Sequence, residues 1–176
     1  MNVEKYHASI RIIHWLMFVL FAIIFVLGAV MVEFKEIDPW LNVQYLMYNF
    51  HKATGVLVFG FLLIRILARW TTKIPPPSPD TSSLERIIAS SVVSLLYLFM
   101  LLIPITGYAL SNVHGHEVYF YGLELPRLFP TNPEWENITS LVHYYTTYIF
   151  LGLIGLHILA VIKYHAKGKE VLRRIT

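Results

Sequence analysis

The chain has no cysteine among its 176 residues. That absence excludes disulfides, cysteine-ligated iron–sulfur clusters, blue-copper centres and the C-x-x-C-H attachment of c-type haem. Charge is the second scarcity. Asp, Glu, Lys and Arg make up 14% of the residues, against roughly 25% in soluble domains. Hydrophobic residues reach 56% and the mean hydropathy is +0.58. These figures describe a membrane protein and exclude an ordinary soluble domain. No internal repeat stands out, so residues 1–176 read as one transmembrane domain.

What is present is apolar length. Four runs each approach or exceed the roughly 20 residues that cross about 30 Å of hydrocarbon: 12–32, 51–70, 87–110 and 141–164. The expected fold is all-α, an integral membrane four-helix bundle. The first run is too long for a signal peptide and lacks a small-x-small cleavage site, so it reads as retained. Basic residues set the orientation. Lys5, Arg11, Arg65, Arg69, Lys73, Arg86, Lys163, Lys167, Lys169, Arg173 and Arg174 fall on one side. The other side has Lys35, Lys52 and Arg127 against seven acids: Glu33, Glu36, Asp38, Glu117, Glu124, Glu134 and Glu136. Both termini are expected in the cytoplasm. The inner connection carries the stiff run Ile74-Pro75-Pro76-Pro77-Ser78-Pro79-Asp80. The outer loop, 111–140, is rich in aromatics and is expected to lie on the membrane surface as a cap. Asn137-Ile138-Thr139 matches a glycosylation sequon by chance.

Four histidines lie in or at the edge of the apolar runs, where an ionisable group is expensive: His14, His51, His143 and His157. His143 and His157 are fourteen residues apart, nearly four helical turns, so they share a face about 21 Å apart along the axis. His14 enters from the inner side and His51 from the outer. Depth therefore pairs His51 with His143 and His14 with His157. Two bis-histidine metal centres stacked across a bilayer are the expected result, and haem b is the centre that uses two axial imidazoles from facing helices. Zinc fits less well, because it takes three or four ligands at one site. His7, His114, His116 and His165 read as ordinary surface residues.

Other residues suit two such centres. Gly28 follows His14 by fourteen residues, at outer depth, where it would let a macrocycle approach the backbone. Gly55, Gly60, Gly152 and Gly155 thin the second and fourth spans, as ordinary small-residue packing also would. Arg65 and Arg69 share a face with His51 but lie at inner depth. They are candidates for haem propionates, with snorkelling to the inner surface as the equal alternative. Lys52 and Arg127 are the outer candidates. Span three has no histidine. Pro104 and Gly107 should kink it, and Ser90, Ser91 and Ser94 are placed to hydrogen-bond across helices.

Together these stretches resemble the bacterial cytochrome b561 family of four-helix, di-haem inner-membrane cytochromes. The matching pieces are Ile13-His14-Trp15, His51-Lys52-Ala53-Thr54-Gly55, Arg65 with Arg69, the proline-rich inner loop, Pro104-Ile105-Thr106-Gly107, and His143 with Gly155-Leu156-His157. The resemblance spans the whole chain. It implies that the four histidines are axial ligands and that electrons pass between two b haems and the quinone pool. Superoxide is an outer donor that the family suggests, although the outer loops are acidic. Related b-type anchor subunits of hydrogenases and formate dehydrogenases share the plan, so an anchor role stays open, as does a second copy of the chain as partner. A metal or ion permease using the same histidines is the alternative of another class.

Overall fold

The computed structural model describes residues 4–33, 43–76 and 81–176. Lys35, Glu36, Asp38 and the Pro77–Asp80 part of the proline run lie outside them. Four long helices dominate: α1 (Ala8–Glu33), α2 (Val43–Thr71), α3 (Ser83–Val113) and α4 (Glu136–Ala166). All four are long and apolar enough to cross a membrane. A two-stranded antiparallel hairpin, β1 (Val118–Phe120) and β2 (Leu123–Leu125), follows α3. Short 3-10 turns cover Pro133–Trp135 and Leu172–Arg174.

Each helix runs past its apolar stretch. Beyond the hydrocarbon, polar residues propagate a helix as well as apolar ones, so hydropathy marks the buried length and not the ends. α2 gains most. It starts at Val43, and His51 sits about two turns inside it rather than at its start. α3 is started by a capping box: Ser82 Oγ accepts from Glu85 N at 3.2 Å, and Glu85 Oε2 accepts from Ser82 N at 3.1 Å. Pro104 is accommodated within α3, which continues unbroken to Val113.

A seven-residue spacing organises the interior. Seven residues turn a helix through two turns less about 20°, so every seventh side chain returns to the same face. On α1 the series is His14, Phe21, Gly28; on α2 it is His51, Val58, Arg65. On α4 it is His143, Phe150, His157, and on α3 Met100 and Gly107 occupy it. The result is three layers. In the middle one Phe150 and Val58 are each 1% exposed and Met100 9%. The Phe150 ring meets Phe21 edge-on at 4.9 Å and stacks on Phe25 at 6.5 Å. Ile13, Met17 and Leu62 complete this core. α1 packs along α2 and α3 along α4, with α2 and α3 joining the halves.

The ends of the bundle differ. At one end both terminal segments meet. Tyr6 N donates to Arg174 O at 3.0 Å, Arg11 Nη1 to Thr176 O at 2.7 Å and Trp15 Nε1 to Ile175 O at 3.1 Å. Arg174 also donates to Pro76 O, and Lys169 pairs with Glu85 at 3.5 Å. At the other end part of the loop folds as the β1–β2 hairpin. Its turn uses Tyr121 (φ 46°) and Gly122 (φ 96°), both in the left-handed region that primed hairpin turns require. The Asn112 side chain, 1% exposed, accepts from Leu128 N at 2.9 Å and Phe129 N at 3.3 Å and so fixes the loop to α3.

The expected serine contacts across helices are not seen within the chain, and the glycines of α2 and α4 leave space instead of packing closely. Ser90, Ser91 and Ser94 are exposed and line an open outward groove with Arg86, Ile87 and Leu95, so they do not bridge helices within the chain. A Cβ at Gly60, Gly152 or Gly155 would meet nothing within 4 Å, so these glycines do not mediate close packing; at Gly55 it would touch only Ile24 Cδ1, at 3.6 Å.

Candidate cofactor sites

Both depth-matched pairs are brought together. The His51 and His143 rings lie with centroids 6.5 Å apart and planes at 86°. The His14 and His157 rings lie 6.4 Å apart at 66°. Two imidazoles that bind one metal from opposite sides through nitrogens at about 2.0–2.1 Å have ring centres about 6.3 Å apart. The observed separations match that span. They are too wide for a direct ring-to-ring hydrogen bond through facing nitrogens.

At the hairpin end the second nitrogen of each ring is engaged. His51 Nδ1 donates to Ile24 O at 3.1 Å. His143 Nδ1 donates to Thr106 Oγ1 at 3.1 Å, and the Thr106 hydroxyl spends its own proton on Ile103 O at 3.0 Å. Both rings are thereby set with Nε2 unprotonated and available to a metal. Two glycines make room. A Cβ on Gly28 would lie 3.1 Å from His51 Cε1, and one on Gly107 would lie 2.9 Å from His143 Cε1. Gly28 thus leaves room for the imidazole of His51, and Gly107 for that of His143.

The terminal-end pair has different neighbours. Arg65 Nη2 lies 3.2 Å from His14 Nδ1 and Nη1 lies 3.5 Å from Ile10 O, while Nε donates to the Tyr97 hydroxyl at 3.0 Å. A guanidinium only donates. For His14 to present Nε2 to a metal, its Nδ1 must carry the proton and Arg65 must withdraw from it. Tyr97 keeps the cation near the pair in either arrangement. The His157 ring has no hydrogen bond among the described residues.

The remaining candidates are placed as follows. Arg69 lies with Arg65 against Tyr97, each Cζ 5.9 Å from the ring centre. Lys52 donates to Glu117 O at 2.9 Å, and Arg127 holds Thr131, Gly115 O and Glu117, so both tie the loop at the hairpin end. His114 bonds Leu110 O at 2.9 Å and has a structural role at the end of α3. No cluster of three or more metal-ligating side chains occurs among the described residues. Three contributors escaped sequence reading: Thr106, Tyr97 and the partnership of Gly107 with His143. Thr106 and Gly107 are consecutive residues of a span with no histidine, so nothing in that span set the helical phase.

Comparison with known proteins identifies the family. A family model for prokaryotic cytochrome b561 matches residues 5–176. The chain is 26% identical over 168 residues to cytochrome b561 homolog 2 of Escherichia coli (strain K12), covering 95% of this chain and 88% of that one. It is 24% identical over 171 residues to the "Probable superoxide oxidase CybB" of Yersinia pestis, covering 95% and 93%. A helical bundle of four membrane-crossing helices, matched from residue 5 to residue 176, thus belongs to the prokaryotic cytochrome b561 family of b-haem electron-transfer proteins of the bacterial inner membrane.

Proposed function

We propose that this chain moves electrons across the inner membrane between two b haems, one on each histidine pair. The observation that carries the reading is the pair of ring separations, 6.5 and 6.4 Å, each the span of a bis-imidazole metal site. His51 and His143 would hold the outer haem, His14 and His157 the inner. The end that carries both termini is then cytoplasmic, as its excess of Lys and Arg supports. Haem iron supplies the one-electron chemistry. The protein supplies ligand orientation, burial and charge. Ile24 O and Thr106 orient the outer imidazoles, and Gly28 and Gly107 give them room. Arg65, once it leaves His14 while still held by Tyr97, and Arg69 beside it are placed for the inner propionates, and Lys52, once it leaves Glu117 O, for the outer.

The measurement is haem content. A pyridine haemochrome assay is expected to give two b haems per chain. His51→Ala and His143→Ala should each remove the same spectral component, and His14→Ala and His157→Ala the other. One haem per fully loaded chain, or His51→Ala and His157→Ala removing the same component, overturns the reading.

Lipid-soluble quinone is the proposed exchange partner, since redox centres at membrane depth need a reactant that diffuses in the bilayer. A one-electron donor at the outer face, such as the superoxide in the relative's name, is the proposed source. Stopped-flow mixing of reduced protein with a soluble ubiquinone analogue decides this. Rapid reoxidation is expected. Reoxidation only after a copurifying subunit is added would instead mark an anchor subunit of a larger dehydrogenase.

A further inference from the structure

We infer that the two centres are biased in opposite senses by Thr106 and Tyr97, so that an electron placed on the outer centre runs inward. The inference rests on the two-haem reading above.

The outer pair is surrounded by acceptors. Both Nδ1–H groups end on oxygen, His51 on the Ile24 carbonyl and His143 on the Thr106 hydroxyl. The Thr106 oxygen is a committed acceptor, because its proton is held by Ile103 O. An imidazole that donates from its far nitrogen gains electron density at the ligating one. A more basic ligand stabilises ferric over ferrous iron, which lowers the potential. Neither outer ring has a cation as hydrogen-bond partner; the Lys52 ammonium, on the residue next to His51, donates to Glu117 O and so keeps its charge outside direct contact with either ring.

The inner pair is surrounded differently. Its nearest polar neighbour is the Arg65 guanidinium, 3.2 Å from His14, and His157 has no hydrogen-bond acceptor among the described residues. A fixed positive charge favours the less positive, ferrous state and raises the potential. Tyr97 is the residue that keeps it there. Its hydroxyl accepts from Arg65 Nε at 3.0 Å, and its ring lies under both Arg65 and Arg69. Tyr97 and Thr106 both belong to α3, the helix that contributes no ligand. They act through other side chains, so both are positioning residues. With both haems bound, one electron would pass from the outer centre to the inner, oxidising the first and reducing the second, and a one-electron reductant at the outer face would restore the outer one; Thr106 and Tyr97 would set only the direction.

Redox titration of the fully loaded protein, followed optically, tests this. Two midpoints are expected. Thr106→Val should raise the lower one and leave the upper, and Thr106→Ser, which keeps the hydroxyl, should return it to the wild-type value. Tyr97→Phe should lower the upper one and leave the lower. The inference is overturned if Thr106→Val moves the upper midpoint, if either shift has the opposite sign, or if neither midpoint moves. If Thr106→Val cannot retain its outer haem, Thr106→Ser and Tyr97→Phe still decide: a Tyr97→Phe protein with unchanged midpoints ends the inference. Haem stoichiometry measured on the same samples separates this failure from that of the two-haem reading, which alone predicts the count.

Discussion

Where a Cβ on residue 107 would stand, the structure has the edge of the His143 imidazole, 2.9 Å away. That distance is shorter than a carbon contact permits, and the ring cannot yield without leaving its bond to Thr106. At Gly28 the same construction gives 3.1 Å to His51, which a small shift relieves. Gly107→Ala should therefore deplete the outer haem more than Gly28→Ala does, with the inner haem kept in both; haem content by pyridine haemochrome checks the order. Gly28 was visible in the sequence through its fourteen-residue distance from His14. Gly107 was not, because Pro104 three residues earlier offered a simpler explanation and no ligand on α3 marked which face was inward. Arg65 is the other residue with a measurable consequence. A charge pair at about 4 Å with an effective dielectric of about 20 is worth roughly 4 kcal/mol before screening. Arg65→Gln is expected to lower the inner haem's midpoint in a redox titration, and an unmoved midpoint would reduce Arg65 to a snorkelling residue.

The helices were legible as apolar lengths and their ends were not. Val43 to Phe50 contains Gln44, Tyr45 and Asn49, which hydropathy reads as loop and which nonetheless continue α2. The hairpin was missed for a related reason: three-residue strands turning at Tyr121-Gly122 are too short to show alternation. The middle layer could have been found, since Phe150 is seven residues from each histidine of α4 and Phe21 seven from His14. Phe150 is 1% exposed between Phe21 and Phe25. Phe150→Ala should cost about 3–5 kcal/mol, the usual range for emptying an aromatic site in a core. A lowered Tm with both haems still bound is the expected result, and a Tm within a degree or two of wild type would show that the helices close over the gap.

At the scale of the whole molecule, the lack of cysteine makes orientation directly measurable. A single cysteine introduced at Glu124, in the hairpin, should react with a membrane-impermeant maleimide in intact spheroplasts. One at Lys167, just past α4, should react only after permeabilisation. The reverse pattern would invert the assignment of inner and outer haem while leaving the pairs intact. The layered spacing also limits how such a sequence can drift. One residue inserted between His143 and His157 would turn the second ring by about 100° and raise it by about 1.5 Å, losing its partner on α1. Inserting a whole seven would restore the face but lengthen the separation by about 10 Å, a third of the hydrocarbon thickness. Substitutions can accumulate along these helices, whereas gains and losses of residues between the two histidine levels cannot. In descendants of this chain, changes of length should be confined to the hairpin, the inner loop and the ends.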